Sequence, residues 1–406
     1  MIVMNLSPEG RFRRAVRLSL ALTVMGAVVP SLAVAQDSTA SSQKKAKSEQ
    51  LRGVQVTGSR IRQVDLAGAT PVASITSQQI TDQGYANVQE LFDNLSYNVG
   101  GSLAQNQSFG FTPGASGVDL RGFGVGRTLV LLDGRRLPVY PVAAGGTQNF
   151  VDLSAIPTSA VKRVDILTTG GSAIYGSDAI SGVINIITKK HYNGFSGSVR
   201  VGDTEHGGYA NHREQMTYGF SDDKNHIIIS GEIYHNNALW ANQRFYSASD
   251  VVPGLPLIQN YSTYGASYAD YVNGTITGAP NCQALLGPAG VPNLSNALYQ
   301  QFGFSGNFCG FDRAQYRQLY PKVTRNSLYS RFDHDFGWAT LYVQGLYSDE
   351  GTEVRFEPYP YASPLIPSNA PNAPTNGSGY FYRRMTEFGP RGDNIDNRTL
   401  YFVTGL

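Results

Sequence analysis

From Gly194 onward the chain is a succession of strand-length segments whose connections alternate between brief and long, a rhythm that few folds permit. The segments, rich in Tyr, Ile, Val, Gly and Ser, run over Gly194–Gly202, His212–Phe220, Asn225–His235, Asn326–His334, Trp338–Ser348, Tyr380–Phe388 and Asn397–Leu406. Each is close to the roughly 9–11 residues that a strand needs to cross a bilayer. In the third, Ile227, Ile229, Gly231 and Ile233 share a face opposite Ser230 and Glu232. In the fifth, Leu341, Val343 and Tyr347 oppose Thr340 and Gln344, and only Ile228 and Leu346 blur the alternation. Lipid outside and water inside produce such a pattern. If the first segment rises from the periplasmic side, the turns on that side are Ser221–Lys224, Asp335–Gly337 and Gly389–Asp396, all brief. The outer connections are then Asp203–Asn211, Asn236–Arg325 and Asp349–Gly379, two of them long. Short periplasmic turns and long outer loops are the habit of outer-membrane barrels.

The start of the chain points to the same compartment. Arg11, Arg13, Arg14 and Arg17 precede a mostly apolar run from Leu18 to Val29, and Ala33-Val34-Ala35 precedes Gln36. This reads as a secretory signal peptide over 1–35. An apolar core of about a dozen residues falls short of the roughly 20 that a spanning helix needs. Its removal takes away four arginines and one glutamate, leaving 28 basic against 29 acidic residues, so no electrostatic footprint for nucleic acid remains. Cys282 and Cys309 suit an exported chain in which a pair can oxidise to a disulfide. With 45 Gly, 24 Tyr and 19 Phe but only 15% charged residues, the composition favours sheets with aromatic rims over helical cores.

Between leader and strands lies a different texture. Residues 36–50 are small, polar and charged, as in a disordered tether. In the 51–60 stretch that follows, Val54 and Val56 alternate with Gln55 and Thr57 before Gly58. A short strand-forming patch at that place suits pairing with a partner's sheet edge. Residues 65–190 read as a compact α+β domain. Thr76 or Ser77 caps a first helix, and Val88, Leu91, Phe92 and Leu95 mark the buried face of a second. Asp133-Gly134 between Leu129–Leu132 and Arg135–Leu137 signals a hairpin, because a type I′ turn needs positive φ at both central positions. Gly122, Gly124 and Gly126 lack the strand–G-x-G-x-x-G–helix order of a nucleotide loop.

The run V-D-L-S-A-I-P-T-S-A-V-K-R-V-D-I-L-T-T-G-G-S-A-I-Y-G-S-D-A-I-S-G-V-I-N-I-I-T-K-K, from Val151 to Lys190, resembles the C-terminal half of the plug domain of TonB-dependent outer-membrane receptors. V-D-L-R-G-F-G and the Asp133-Gly134 hairpin resemble that family's elements as well, and the patch from Val54 to Gly58 resembles its TonB box. The resemblance implies an α+β plug domain followed by the first strands of an antiparallel transmembrane β-barrel, about seven of them here, over 194–406 with long extracellular loops at 236–325 and 349–379. Seven strands cannot close a barrel where plugged transporters have about 22, so the expected object is a fragment of a longer receptor. It also implies TonB and its inner-membrane complex as partner, outer-membrane lipid around the barrel, and a scarce ligand such as a siderophore, cobalamin or a carbohydrate. No cofactor is implied.

By the same resemblance Arg121, Phe123 and Arg127 are candidates for ligand contact at the plug apex. Tyr261, Tyr264, Tyr268, Tyr271 and Tyr299 of the long loop are further candidates, since binding residues concentrate on loops. Many members carry V-L-R-G-P where this chain has Ile166-Leu167-Thr168-Thr169-Gly170-Gly171. The arginine that pairs with barrel carboxylates is therefore not carried over, and Arg163 or Lys162 is left as a substitute. No catalytic constellation is visible: G-x-S-x-G and H-E-x-x-H are absent, which disfavours an enzyme. A surface-binding or adhesion protein that keeps the plug without transporting is the alternative.

Overall fold

The computed structural model describes residues 72–83, 85, 88–95, 98, 102–105, 112–168, 171–250, 265–294, 303–369 and 378–406. The expected leader, the tether and the patch Val54, Gln55, Val56, Thr57 and Gly58 lie outside the described residues, as do Tyr261, Tyr264 and Tyr299.

Strand β1 (Val72–Thr76) passes directly into helix α1 (Ser77–Asp82). Thr76 Oγ1 accepts from the Gln79 N–H at 3.3 Å while Gln79 Oε1 accepts from the Thr76 N–H at 2.9 Å. This reciprocal capping box satisfies two amide donors that a helix start otherwise leaves open. Helix α2 (Val88–Asp93) buries Val88, Leu91 and Phe92, with Leu95 packed beside them. Both helices cover a five-stranded sheet whose other members are β2 (Thr128–Leu132), β3 (Arg135–Arg136), β4 (Val161–Leu167) and β5 (Gly182–Thr188), in the order β1-β4-β5-β2-β3. Only β2 and β5 run parallel. All five residues of β2 are buried, which is why its sequence is a continuous apolar run rather than an alternation. Asp133 (φ 49°) and Gly134 (φ 78°) close the β2–β3 hairpin with two left-handed residues.

A second, six-stranded antiparallel sheet forms a wall beside this plug. Its strands are β6 (Gly194–Gly202), β7 (Asn211–Ser221), β8 (Asn225–Asn236), β9 (Lys322–Asp335), β10 (Thr340–Phe356) and β11 (Arg391–Gly405), paired in chain order. Residues 222–224 and 336–339 make the short connections, and 237–321 and 357–390 the long ones. One expected strand is corrected. Tyr380–Phe388 contributes Gly379–Arg384 to a separate sheet, not to the wall, so the wall has six strands rather than about seven. The expected turn Gly389–Asp396 goes with it, because Arg391–Asp396 extend β11 against Phe356–Gly351 of β10. The second long connection is consequently 357–390, not 349–379.

The wall's two faces explain its pattern. Phe195, Val199, Met216, Phe220, Leu400 and Phe402 stand exposed on the outward side, as lipid-facing positions do. At the short connection 336–339, Phe336 and Trp338 stack with ring centroids 6.2 Å apart, the placement of an interfacial aromatic girdle. Ile228 and Leu346, which blur the alternation, point the other way. They are 0% and 2% exposed and join Tyr329 in the same apolar cluster as Phe92, Val118, Val164 and Ile186 of the plug. Their neighbour is the plug's core, not water.

The two long connections share a four-stranded sheet in which Ala266–Asp270 pairs with Thr275–Gly278 and with Gly379–Arg384, and the latter with Pro360–Ala362. Cys282 and Cys309 are disulfide-bonded beneath it, their Cα atoms 5.8 Å apart, among Ala266, Leu286, Ala289 and Phe311.

Candidate functional site

The inward face of the wall carries charged residues at three levels, and the plug meets each of them with carboxylates and hydroxyls. Nearest the long connections, Arg325 on β9 pairs with Glu350 on β10 at 2.6 Å, both side chains almost wholly buried. Ser154 of the plug donates to Glu350 Oε2 at 3.1 Å. Behind it Asp152 accepts from the N–H and hydroxyl of Ser116 and of Ser154, at 2.7 to 3.0 Å. Gly114 brings the plug backbone against Thr352 with φ +83°, where a Cβ would collide with the threonine side chain.

In the middle level, Thr158 donates to Glu232 Oε2 through its N–H at 3.3 Å and its hydroxyl at 3.0 Å. Gln215 of β7 donates to the same carboxylate at 2.6 Å, and Arg213 pairs with its other oxygen at 3.7 Å. Nearest the short connections stands Asp133. Its two oxygens accept from the Thr188 N–H (3.0 Å) and hydroxyl (2.6 Å) within the plug and from Gln344 Nε2 (2.9 Å) on the wall. Arg331 approaches it at 3.5 Å while holding Asp333 at 2.6 Å, and Tyr329 donates to Thr188 Oγ1 at 2.8 Å.

Each of the wall arginines in this seam therefore has a carboxylate on the wall itself: Arg325 with Glu350, Arg213 with Glu232, Arg331 with Asp333. Each plug carboxylate has hydroxyl or amide donors on the plug. Separating the two surfaces breaks hydrogen bonds and the 3.5 Å Arg331–Asp133 contact, but leaves each wall arginine its wall carboxylate and each plug carboxylate its hydrogen bonds on the plug, which limits the cost of a broken ion pair. At Asp133 the polarity is the reverse of the family's plug arginine on barrel carboxylates, a contact that the sequence does not carry over. Arg163 binds Asp165 within the plug at 3.0 Å and Lys162 is exposed, and neither has an ion pair with the wall among the described residues. Asp133 and Asp152 were missed as contact residues. Asp133 was legible only as a turn residue, and Asp152 has no local signal beyond its place as a helix cap.

The apex candidates lie on exposed backbone. Arg121, Phe123 and Arg127 are all solvent-exposed, and the Arg121 guanidinium sits 5.4 Å from the centre of the Phe123 ring. Arg121 (φ 67°), Gly122 (φ 76°) and Gly124 (φ 96°) turn the chain through left-handed conformations there. Gln148 of the neighbouring loop closes on this turn, reached by the Gly126 N–H at 3.5 Å. Val125, Tyr140, Phe150 and Ala115 pack together beneath it. Since Ala115 follows Gly114 and Phe150 precedes Asp152, this surface lies at the end of the wall that carries the long connections. Burial first, then the negative charges of Asp152 and Glu350, push the Tyr140 phenol well above its ordinary range, so it stays a neutral hydrogen-bonding group.

A globular α+β domain seated by polar contacts against the inner face of an outward-apolar antiparallel sheet defines a plugged membrane barrel. Residues 65–183 match the family model described as TonB-dependent Receptor Plug Domain. This segment is a plug domain of the TonB-dependent receptor kind, and an antiparallel wall follows it in the chain. Among solved structures the chain is similar to the ferric enterobactin receptor PfeA of Pseudomonas aeruginosa, in a mutant form, at 14% identity over 82% of this chain and 46% of that one, with a TM-score of 0.40. It is similar also to the siderophore receptor PirA of Acinetobacter baumannii, at 17% identity over 82% of this chain and 44% of that one, with a TM-score of 0.39. The chain thus spans less than half the length of these two receptors.

Proposed function

We propose that this chain is the plug and leading part of the wall of an active transporter in the outer membrane of a Gram-negative bacterium. In this reading the long connections face the exterior and the plug and N-terminus face the periplasm. A scarce small molecule binds over the plug surface that includes Arg121, Phe123 and Arg127. TonB takes the strand Val54–Gly58 by β-augmentation, and force from the inner-membrane complex moves the plug. The observation that supports this most is the seam. The wall arginines are paired on the wall and the plug carboxylates are hydrogen-bonded on the plug, so the plug is held in one place yet its withdrawal leaves each buried charge with partners. The family's members are transporters rather than enzymes.

Deleting Val54–Gly58 from the full receptor tests the reading. Uptake of labelled ligand by cells is expected to cease while surface binding persists at wild-type level. The ligands supplied would be ferric enterobactin, cobalamin and malto-oligosaccharides in parallel. Uptake that survives the deletion overturns energy coupling through this segment.

A further inference from the structure

The two long connections, 237–321 and 357–390, hold twelve of the chain's 24 tyrosines but only ten charged side chains, none of them lysine. All ten charges are engaged internally. Asp250 pairs with Arg313 and Arg317, Arg383 with Glu387, and Arg384 with Glu357. Asp270 and Asp312 accept backbone N–H groups of their own turns. Arg244 is spent on Thr204 and Gly207 of the neighbouring connection. Seven of the ten are in ion pairs, Asp270, Asp312 and Arg244 are held by hydrogen bonds, and five acidic charges balance five basic ones, so the cover built by these connections offers an incoming molecule no net charge.

What it offers instead is a cluster of rings on the shared sheet. Tyr271, 53% exposed, meets Phe304 edge-on at 5.0 Å and Tyr380 at 5.5 Å between ring centroids. Tyr380 lies beside Tyr382 at 6.4 Å, two residues apart on one strand and so on one face. The phenol oxygens of Tyr271 and Tyr382 are 3.0 Å apart, a donor–acceptor pair at the margin of the rings. The cluster joins residues from both connections, because Gly379–Arg384 is the strand that pairs with Ala266–Asp270.

We infer that this face binds a neutral oligosaccharide. The C–H faces of sugar rings are apolar and lie flat on aromatic side chains, while the equatorial hydroxyls need uncharged donors and acceptors at the ring edge, which the Tyr271–Tyr382 pair supplies. At this face a catecholate or carboxylate chelate would bring net negative charge to connections of zero net charge whose arginines already have partners, and would lose solvation without recompense. This inference rests on the transport reading for its biological purpose, but the binding step does not need TonB.

The test is equilibrium binding to the purified receptor in a sugar-free detergent such as an amine oxide. Probes are linear malto- and xylo-oligosaccharides of two to eight units, with ferric citrate as the anionic control. Saturable binding of at least one saccharide series is expected, and none of ferric citrate. Tyr382→Phe keeps the ring and removes one hydroxyl, and is expected to weaken the bound saccharide by roughly threefold to tenfold. Tyr271→Ala should weaken it by about tenfold or more. Because Tyr382→Phe leaves the packing intact, misfolding of the alanine variant does not decide the result. Binding by no member of either series, or saccharide binding unaffected by Tyr382→Phe, overturns the proposal. Neither result bears on uptake through Val54–Gly58, which the deletion experiment reads separately.

Discussion

The Arg325–Glu350 pair offers the clearest quantitative trial of how plug and wall meet. The side chains are 2% and 5% exposed, they face one another in register across β9 and β10, and the plug's Ser154 adds a third member. Replacing Glu350 by Leu strands a buried guanidinium, and replacing Arg325 by Met strands a buried carboxylate. Each is expected to cost about 3–5 kcal/mol. The double replacement Arg325→Met/Glu350→Leu removes both charges and fills the space with apolar side chains. Its main loss is the Glu350 branch of the Ser154 hydroxyl's shared hydrogen bond, about 1 kcal/mol or less, since Asp152 still holds that hydroxyl at 2.7 Å. The double variant should therefore lie several kcal/mol closer to wild type than the summed singles, a non-additivity that a double-mutant cycle measures directly. Urea unfolding of the receptor in micelles, followed by the fluorescence of Trp240 and Trp338, is the assay. If the double variant loses as much as the two singles added together, the pair is not mutually neutralised on the wall. A seam whose wall arginines keep their own carboxylates when it parts is then refuted.

Three further outcomes follow from particular contacts. At Asp133 the left-handed backbone costs a non-glycine residue about 1–2 kcal/mol, and the carboxylate offsets this through Thr188 and Gln344. Urea midpoints should consequently fall in the order wild type, Asp133→Gly, Asp133→Ala, and an alanine variant above the glycine variant would refute the double role. Replacing Cys282 and Cys309 by serine opens a loop of 27 residues' separation, worth about 3.5 kcal/mol on the chain-entropy model. Faster proteolysis within 265–318 with unchanged hydrogen exchange in β7–β10 is expected, and accelerated exchange in those strands would contradict a local role for the bridge. Asp222 closes the 222–224 turn by accepting the Lys224 and Asn225 N–H groups, which hold its carboxyl below the ordinary value of 3.8. A depressed carboxyl stabilises the turn above the unfolded value, and that support disappears as pH falls from about 3.8 through the folded value. Protection of the Asn225 amide, taken relative to its intrinsic exchange rate at each pH, should fall over that window in wild type and show no such step in Asp222→Ala.

What could be read from the residues alone was whatever depends on local periodicity and local backbone chemistry. Val88, Leu91 and Phe92 recur at helical spacing, Ile227, Ile229 and Ile233 alternate, and Asp133-Gly134 demands two left-handed residues. Each of these is decided within a few positions, so each was legible before any partner was known. Tyr380–Phe388 shows where that stops: aromatic alternation is the same whether one face meets lipid or a disulfide-stapled loop, and only the pairing partner, Ala266–Asp270, separates the two cases. Ile228 and Leu346 looked like errors in a water-facing row because the plug that covers them comes from more than forty residues earlier in the chain. Asp133 and Asp152 became contact residues for the same reason. A carboxylate's function is set by which donors reach it, and the wall donor at Gln344 is brought to Asp133 across 211 residues of sequence by tertiary packing alone.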